Sequence, residues 1–556
     1  MRKRFVLAHS LIGIGLVLVC ASAGQAQTTH FTVEGDASGE WFGFRVRACG
    51  DVDADGFQDL IVVGAKPGFS GFVVSVLSGQ DGRTLYEFSD PATSYGAAAS
   101  GAGDVNDDGF DDFMISDYRY TEAPDISGRV WVHSGFDGSV LLDLKEAGHG
   151  GEFGYDLAPA GDVDGDGRDD LIIGTPNGFS PAGIRDAVVV HSGRDGSLIH
   201  ELIEPYESGD PIFGRGVASA GDVDADGVPD IIGMGWWFCE FANTSYSIVY
   251  SGATGEQLHF IGGVCTNGYV LSSTGVGDVN ADGHDDFAVG RAGTFSGYQG
   301  GQFVVYSGLD ASVLHAILYD DKSQRGDGLG RAVAAAGDIN HDGYADILVS
   351  APQDPNQVFF AGDGPGYAQV FSGRDGRVLV TVTGDSDEDL FGYSVAAADF
   401  DGDGFTDIAV SAPRNDRNGL DTGAVRCVSL YQAWTDIGGS LAGAAGPPRL
   451  HMSGQLSPGG SITAGLSHGP AFATAALVVG HELLYRPRSG GVLVPRPDLV
   501  LPLGLDGHGA ASLTMPSLSS QLGPELFWFQ AWMEDPTGPE GLTATQAIVG
   551  AQRRRP

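Results

Sequence analysis

The chain has 556 residues, with 72 acidic against 30 basic side chains, a net charge of −42, 42% hydrophobic residues and 88 glycines. A charge of that sign excludes nucleic acid and anionic membrane surfaces as partners, because both would be repelled. The apolar fraction excludes an acidic disordered chain, and abundant glycine with only 18% charged residues suits a turn-dense all-β protein.

At the N-terminus, Met1, Arg2, Lys3 and Arg4 precede an apolar stretch from Leu11 to Cys20 and small residues from Ala21 to Ala26. That pattern predicts a secretory signal peptide over 1–26, cut after Ala26, because Gly24-Gln25-Ala26 approximates the small-x-Ala rule. Val19 before Cys20 lacks the small residue a lipoprotein signal would want. No later segment is long and apolar enough to span a bilayer as a helix. The expectation is a monomeric protein, secreted or periplasmic, without membrane insertion, in surroundings where calcium at roughly millimolar level fills modest sites.

From Asp51 onward one nonapeptide recurs seven times: DVDADGFQD from Asp51, DVNDDGFDD from Asp104, DVDGDGRDD from Asp162, DVDADGVPD from Asp222, DVNADGHDD from Asp278, DINHDGYAD from Asp338 and DFDGDGFTD from Asp399. Starts lie 53 to 61 residues apart, the spacing of a repeat protein. Oxygens at positions 1, 3, 5 and 9 can converge on one hard cation, with a backbone carbonyl from position 7 and a glycine at position 6 for the sharp turn. The predicted ligand sets are Asp51, Asp53, Asp55, Phe57, Asp59; Asp104, Asn106, Asp108, Phe110, Asp112; Asp162, Asp164, Asp166, Arg168, Asp170; and Asp222, Asp224, Asp226, Val228, Asp230. The remaining three are Asp278, Asn280, Asp282, His284, Asp286; Asp338, Asn340, Asp342, Tyr344, Asp346; and Asp399, Asp401, Asp403, Phe405, Asp407. Calcium is the expected ion at all seven, since it accepts about six to eight oxygens in flexible geometry whereas magnesium demands a strict octahedron. Ordinary Asp-Gly turns would not preserve 25 Asp and three Asn over 28 side-chain positions. An EF-hand does not fit, because position 12 falls on Val62, Ile115, Ile173, Gly233, Val289, Val349 and Val410 and never supplies a Glu.

Other signals recur around each nonapeptide. An aromatic-Gly pair or its remnant precedes it, at Phe42-Gly43, Tyr95-Gly96, Phe153-Gly154, Phe213-Gly214, Leu329-Gly330 and Phe391-Gly392. Short apolar runs such as Leu60 to Val63 follow it and read as buried strands ending near Gly-Ala-Pro-like turns. A hairpin turn comes next, as in LSGQDGRTL from Leu77 and FSGRDGRVL from Phe371. There are six such turns for seven nonapeptides, so the last unit lacks a fourth strand, and His30 to Glu34 can supply it and close the ring.

These three motifs, in this order over residues 30 to 434, resemble the FG-GAP repeats of the integrin α-subunit β-propeller. The resemblance implies a seven-bladed β-propeller of four-stranded blades over 27–434, with calcium in the hairpin loop between the first two strands of each blade. It departs where Gly268-Tyr269 replaces the Phe-Gly pair and where Gly233-Met234-Gly235-Trp236 replaces the Gly-Ala-Pro turn.

Residues 435–556 lose the metal motif and carry apolar stretches broken by Pro and Gly, which predicts a separate β-sandwich-like domain. Its ending is similar to C-terminal modules of secreted bacterial propeller proteins. Gly465-Leu466-Ser467-His468-Gly469 matches the GxSxG pattern but lacks a strand-to-helix context. Arg325-Gly326-Asp327 reads as an ordinary turn, His133 and His191 as structural, and Cys49 and Cys427 as small core residues; a Cys239–Cys265 bridge stays open. Tyr118, Tyr120, Trp236 and Trp237 are candidate ligand contacts on the face away from the metal loops. The expected function is a non-catalytic adhesion or binding module for an extracellular protein or glycan. The alternative is an extracellular enzyme cleaving polysaccharides or phosphoesters on the same scaffold.

Overall fold

The structure is a computed structural model. It describes residues 28–551 apart from 68–69, 90–93, 124–125, 146–150, 177–185, 205–210, 240–241, 263–267, 296–297, 319–327, 354–363, 431–433, 439–447, 455–460, 469, 481–482, 489–490, 496–498, 507–509, 517–525, 535–541 and 546. The signal-peptide segment, Arg325-Gly326-Asp327 and Cys265 lie outside the described residues.

Among the described residues every named element is a strand, and those from Thr28 to Ser429 form seven four-stranded antiparallel sheets. Sheet 1 is built from Arg45–Gly50, Asp59–Ala65, Phe72–Leu77 and Thr84–Phe88. The next five repeat this order, with first strands Ala99–Gly103, Leu157–Gly161, Pro211–Gly221, Gly268–Gly277 and Val333–Gly337. Sheet 7 has only Val395–Ala398, Asp407–Ala412 and Ala424–Ser429 from its own stretch of chain. Its fourth strand is the N-terminal Thr28–Glu34, which pairs Val33 with Val425 and Glu34 with Ala424.

The core is distributed between the sheets. Seven apolar clusters each join one sheet to the next, from Cys49, Ile61 and Phe113 between sheets 1 and 2 to Leu60, Ala409 and Val425 between sheets 7 and 1. The last of these makes the array a closed ring, the arrangement of a β-propeller. Because both faces of each sheet are covered, second strands such as Asp59–Ala65, Asp170–Thr175 and Asp407–Ala412 are buried along their whole length. The fourth strands alternate instead, as in Val378–Thr383, because they form the rim.

The aromatic-Gly pairs lock this packing. Phe42, Phe153, Phe213 and Phe391 are buried in the clusters between their own sheet and the preceding one. The following glycines hold φ between +86° and +94°, and a Cβ on Gly214 would lie 2.4 Å from the Ala187 carbonyl oxygen. Where the motifs are lost, the ladder simply runs on. In sheet 4, Pro211–Gly221 pairs with Asp230–Cys239 from Pro211↔Trp237 onward, and in sheet 5 Gly268 pairs with Gly293.

From Trp434 onward the described residues form three further sheets: a two-stranded one that pairs Leu483–Arg488 with Gly491–Pro495, and two that share one core. The larger contains Trp434–Gly438, Thr474–Gly480, Leu499–Gly504, Leu526–Glu534, Leu542–Ala544 and Ala547–Ala551, and the smaller Arg449–Gly454, Ser461–Ser467 and Ala511–Pro516. Leu450, Ile462 and Leu466 of the smaller pack against Leu477, Phe529 and Met533 of the larger. The Trp528 indole N–H donates to the carbonyl of His341 at 3.2 Å, so this unit touches the loop that starts at Asp338.

Ring closure makes a covalent prediction. Val33 and Val425 face each other across antiparallel strands, so the double variant Val33→Cys, Val425→Cys is expected to oxidise to a disulfide within one chain. Peptide mapping should recover the linked pair and the thermal midpoint should rise; a double variant that stays reduced would contradict closure by the N-terminal strand.

Candidate metal centres

Each nonapeptide joins the first strand of a sheet to the second, so all seven lie at one end of the ring. Their backbones are fixed by side chains from within the motif. The position-1 carboxylate accepts the N–H of the position-6 glycine in every copy, at 2.7 to 2.9 Å. The position-5 carboxylate accepts the N–H of position 7 in every copy, at 2.9 to 3.2 Å. The glycine itself holds φ between +86° and +91°, and nothing lies within 4 Å of a Cβ added to Gly56, Gly109, Gly167, Gly227 or Gly283. Its identity is therefore set by backbone conformation, not by crowding.

The position-9 aspartates do structural work that the sequence pattern does not disclose. Asp59 accepts Val52 N–H at 2.8 Å on one oxygen and Gly79 N–H at 2.8 Å on the other. The second of these bonds, from the turn between strands 3 and 4, or from Leu430 in sheet 7, recurs in all seven copies. These carboxylates thus tie the metal loop to the neighbouring hairpin, and each can offer its remaining lone pairs to a cation.

Four loops bring three carboxylates together with oxygens within 4.8 Å of one another: Asp51, Asp53, Asp59; Asp162, Asp164, Asp166; Asp222, Asp224, Asp230; and Asp399, Asp401, Asp407. The other three loops carry Asn106, Asn280 and Asn340 at position 3, so an amide oxygen replaces one carboxylate. Three loop oxygens, Asp53 Oδ1, Asn106 Oδ1 and Asp162 Oδ1, are withdrawn from solvent and have no hydrogen-bond partner. Acceptors left unmatched inside an all-oxygen cluster suit a hard cation, which satisfies them without needing a donor. The residues present therefore fit calcium.

The electrostatics agree. Burial first, and then the neighbouring carboxylates, raise the position-9 groups far above the ordinary range near 4. Asp59, Asp112 and Asp230 reach about 7, Asp170 and Asp286 about 6, and Asp346 and Asp407 about 8. The loops are also linked to one another. The position-8 N–H donates to the position-1 carbonyl of the preceding loop, from Asp111 to Asp51, Asp285 to Asp222, Ala345 to Asp278 and Gln58 to Asp399. Pro229 occupies that position in the fourth loop and has no N–H to give. In the loops at Asp338 and Asp399, positions 3 and 5 are buried as well (Asn340, Asp342, Asp401, Asp403), unlike in the other five.

Of the aromatic candidates with described side chains, Tyr118 and Trp236 lie beside the Tyr155–Arg215 pair, whereas Tyr120 has other neighbours. Tyr118, Tyr120 and Trp236 stand on extended strands, Asp112–Ala123 and Asp230–Cys239. A register shift between Asp117 and Thr121 separates the two tyrosines. Tyr118 lies 5.3 Å from the Tyr155 ring, and Arg215 is 4.7 Å from the Trp236 ring and 5.0 Å from that of Tyr155. Tyr120 instead faces Arg129 and Lys145. The Trp237 side chain lies outside the described residues. Ser467 ends an antiparallel strand, and among the described residues no helix follows it, so the nucleophile elbow of GxSxG has no place here. The Nδ1 atoms of His133 and His191 lie 3.0 and 2.9 Å from the carbonyls of Gly138 and Gly196 in their turns, and Cys49 and Cys427 are buried free thiols.

The FG-GAP repeat family matches residues 153–191, 329–371 and 391–426, so the chain carries FG-GAP repeats on an all-β ring of sheets. It is similar to integrin alpha-5 of Xenopus laevis, 31% identical over 226 residues, covering 37% of this chain and 21% of that protein. It is similar also to integrin alpha pat-2 of Caenorhabditis elegans, 33% identical over 269 residues, covering 47% of this chain and 18% of that protein. The matched regions thus span about a fifth of the length of these relatives. Among solved structures, the Dos1 propeller aligns over 73% of this chain and 78% of that one at 10% identity with a TM-score of 0.39.

Two outcomes are expected at these loops. In metal-free protein the raised position-9 groups keep protons that the unfolded chain has already lost, so stability should fall as pH rises from about 5 to about 8. Thermal midpoints of dialysed, calcium-free protein check this, and a midpoint that rises over that range would contradict it. Gly227→Ala forces a side chain into φ +88°, which should cost about 1–2 kcal/mol by denaturant titration and weaken one ion without disturbing the others.

Proposed function

We propose that this is a secreted calcium-binding protein: a seven-bladed propeller over 27–434, and a β-sandwich-like module over 435–556, acting as a non-catalytic adhesion or ligand-binding element. Calcium is supported by the seven-fold recurrence of one oxygen-rich loop whose side chains both shape the turn and leave acceptors unmatched, as at Asp53, Asn106 and Asp162. A binding role is supported by the similarity to integrin alpha chains and by the division of labour in the ring. One end is committed to metal loops, whereas the opposite end varies between sheets, as where Asp112–Ala123 and Asp230–Cys239 outrun their counterparts. In such scaffolds the variable end carries recognition. The partner class is an extracellular protein or glycan, and the protein works as a monomer at the cell exterior or in the periplasm.

Equilibrium dialysis of the purified protein should give seven calcium ions per chain, and fewer than five would contradict the assignment. Glycan and protein arrays should return a ligand, while screening against polysaccharides and phosphoesters should return no turnover. A purified protein that cleaves either class with ordinary enzymatic rates overturns the non-catalytic reading.

A further inference from the structure

Two of the acidic loops are near-copies of one another, DVDADGFQD from Asp51 and DVDADGVPD from Asp222, and their first six residues are identical. Each brings oxygens of three carboxylates within 4.8 Å of one another, from Asp51, Asp53 and Asp59 in one and from Asp222, Asp224 and Asp230 in the other. Each is also clamped by the same kind of hairpin turn. Gly79 N–H donates to Asp59 at 2.8 Å and Gly252 N–H to Asp230 at 2.9 Å. Ser78 N–H donates to the Arg83 carbonyl and Ser251 N–H to the Glu256 carbonyl, both at 2.9 Å. Arg83 and Glu256 therefore hold the same place in the turn relative to the loop it clamps, and there the two sites differ by two units of charge.

At the first loop that charge reaches a candidate ligand. Arg83 Nη2 donates to Asp53 Oδ2 at 2.6 Å, from a side chain that is 52% exposed. The other oxygen, Asp53 Oδ1, is withdrawn from solvent and has no hydrogen-bond partner, which leaves it to a cation. At the fourth loop Asp224 Oδ1 accepts the Asp226 N–H at 3.2 Å, so the backbone of the motif sets position 3 there without help from the turn. The third loop shows a looser form of the first, with Arg194 of its turn 3.8 Å from Asp166. Calcium affinity follows the charge count of the ligands and the rigidity of the site. The four aspartates of each loop carry four negative charges; Arg83 offsets one of them, whereas the exposed Glu256 adds a fifth. An exposed ion pair fixes its partners only loosely, so at the first loop the lost charge outweighs the orientation gained. A unit charge about 6 Å from a divalent ion changes affinity roughly tenfold even in water.

We infer that Arg83 lowers calcium affinity at the first loop, as a built-in counter-cation on Asp53, and that Glu256 at the same turn position makes the fourth loop the tighter site. This rests on the calcium reading above and names the residues that grade it. The place of the weakened site gives it a consequence. The turn that carries Arg83 lies against the N-terminal strand: His30 Nε2 is 3.0 Å from the Gly79 carbonyl oxygen, and a Cβ on Gly82 would lie 2.7 Å from the Phe31 ring. Gln58 N–H donates to the Asp399 carbonyl of the seventh loop at 3.1 Å. The first loop thus stands at the seam where the ring closes, and as calcium falls its ion leaves before that of the fourth loop.

Hydrogen exchange of the purified protein, read by mass spectrometry at a series of buffered free-calcium concentrations, reports each loop separately. Peptides over 222–230 should gain protection at a free-calcium concentration at least about tenfold below that needed over 51–59. Arg83→Gln should lower the midpoint over 51–59 by about threefold or more and leave that over 222–230 unchanged, and Glu256→Arg should raise the midpoint over 222–230. The exchanged pair Arg83→Glu, Glu256→Arg should reverse the order of the two loops. Both side chains are exposed, so the variants should keep the fold, which an unchanged number of calcium ions per chain at saturation checks. Equal midpoints in the parent protein, or an Arg83→Gln variant that leaves the 51–59 midpoint where it was, overturns the assignment. A midpoint raised by Arg83→Gln overturns it too, and makes Arg83 a residue that orients Asp53 for the cation. Protection that ignores calcium at both loops removes the calcium reading itself, whereas ions bound at both with equal midpoints remove only the grading.

Discussion

The carboxylate at position 1 of each nonapeptide, bound to the N–H of the glycine five residues on, is the interaction on which the rest depends. It folds the loop into a shape that crowds further carboxylates against it, and burial of position 9 makes that crowding costly. A hydrogen bond that shapes a turn therefore also concentrates negative charge. The molecule repeats this seven times around a ring, and the same loops hand backbone hydrogen bonds to one another from sheet to sheet. Under the proposed calcium binding, a cation that relieved one loop would also brace a joint between two sheets.

Ring closure is the second constraint. Each sheet is too thin to bury its own apolar residues and finds a core only against its neighbours, so an open array would leave two faces unpaired. The N-terminal strand solves this by completing the last sheet, and the cluster of Leu60, Ala409 and Val425 seals it. Small residues are frequent where the first strands approach the axis, as in Val333–Gly337, which reads VAAAG and lines the axial cavity.

The repeat made much of this legible in advance. Spacing gave the recurring acidic loops, the buried second strands and the missing fourth strand, because each is a local pattern recurring at a fixed interval. What stayed hidden was contact between repeats. Nothing in the motif says that Asp59 secures Gly79, or that the position-8 residue reaches the preceding loop; such facts depend on the rotation between sheets. The aromatic candidates fared unevenly for a similar reason. Trp236 lies against Arg215 and Tyr118 against Arg119 and the Tyr155 ring, while Tyr120 meets Arg129, contacts set by neighbouring strands and not by the repeat pattern.

If carboxylate crowding is the governing constraint, occupancy of the loops and stability of the ring must move together. Thermal unfolding in calcium and after its removal by chelation measures this directly. A ligand held only by the native state raises stability in proportion to the logarithm of its concentration over its dissociation constant, so seven such sites should separate the two midpoints by roughly 10 °C or more. Midpoints that coincide within about 1 °C would mean that the loops fold without regard to the cation, and would contradict this account.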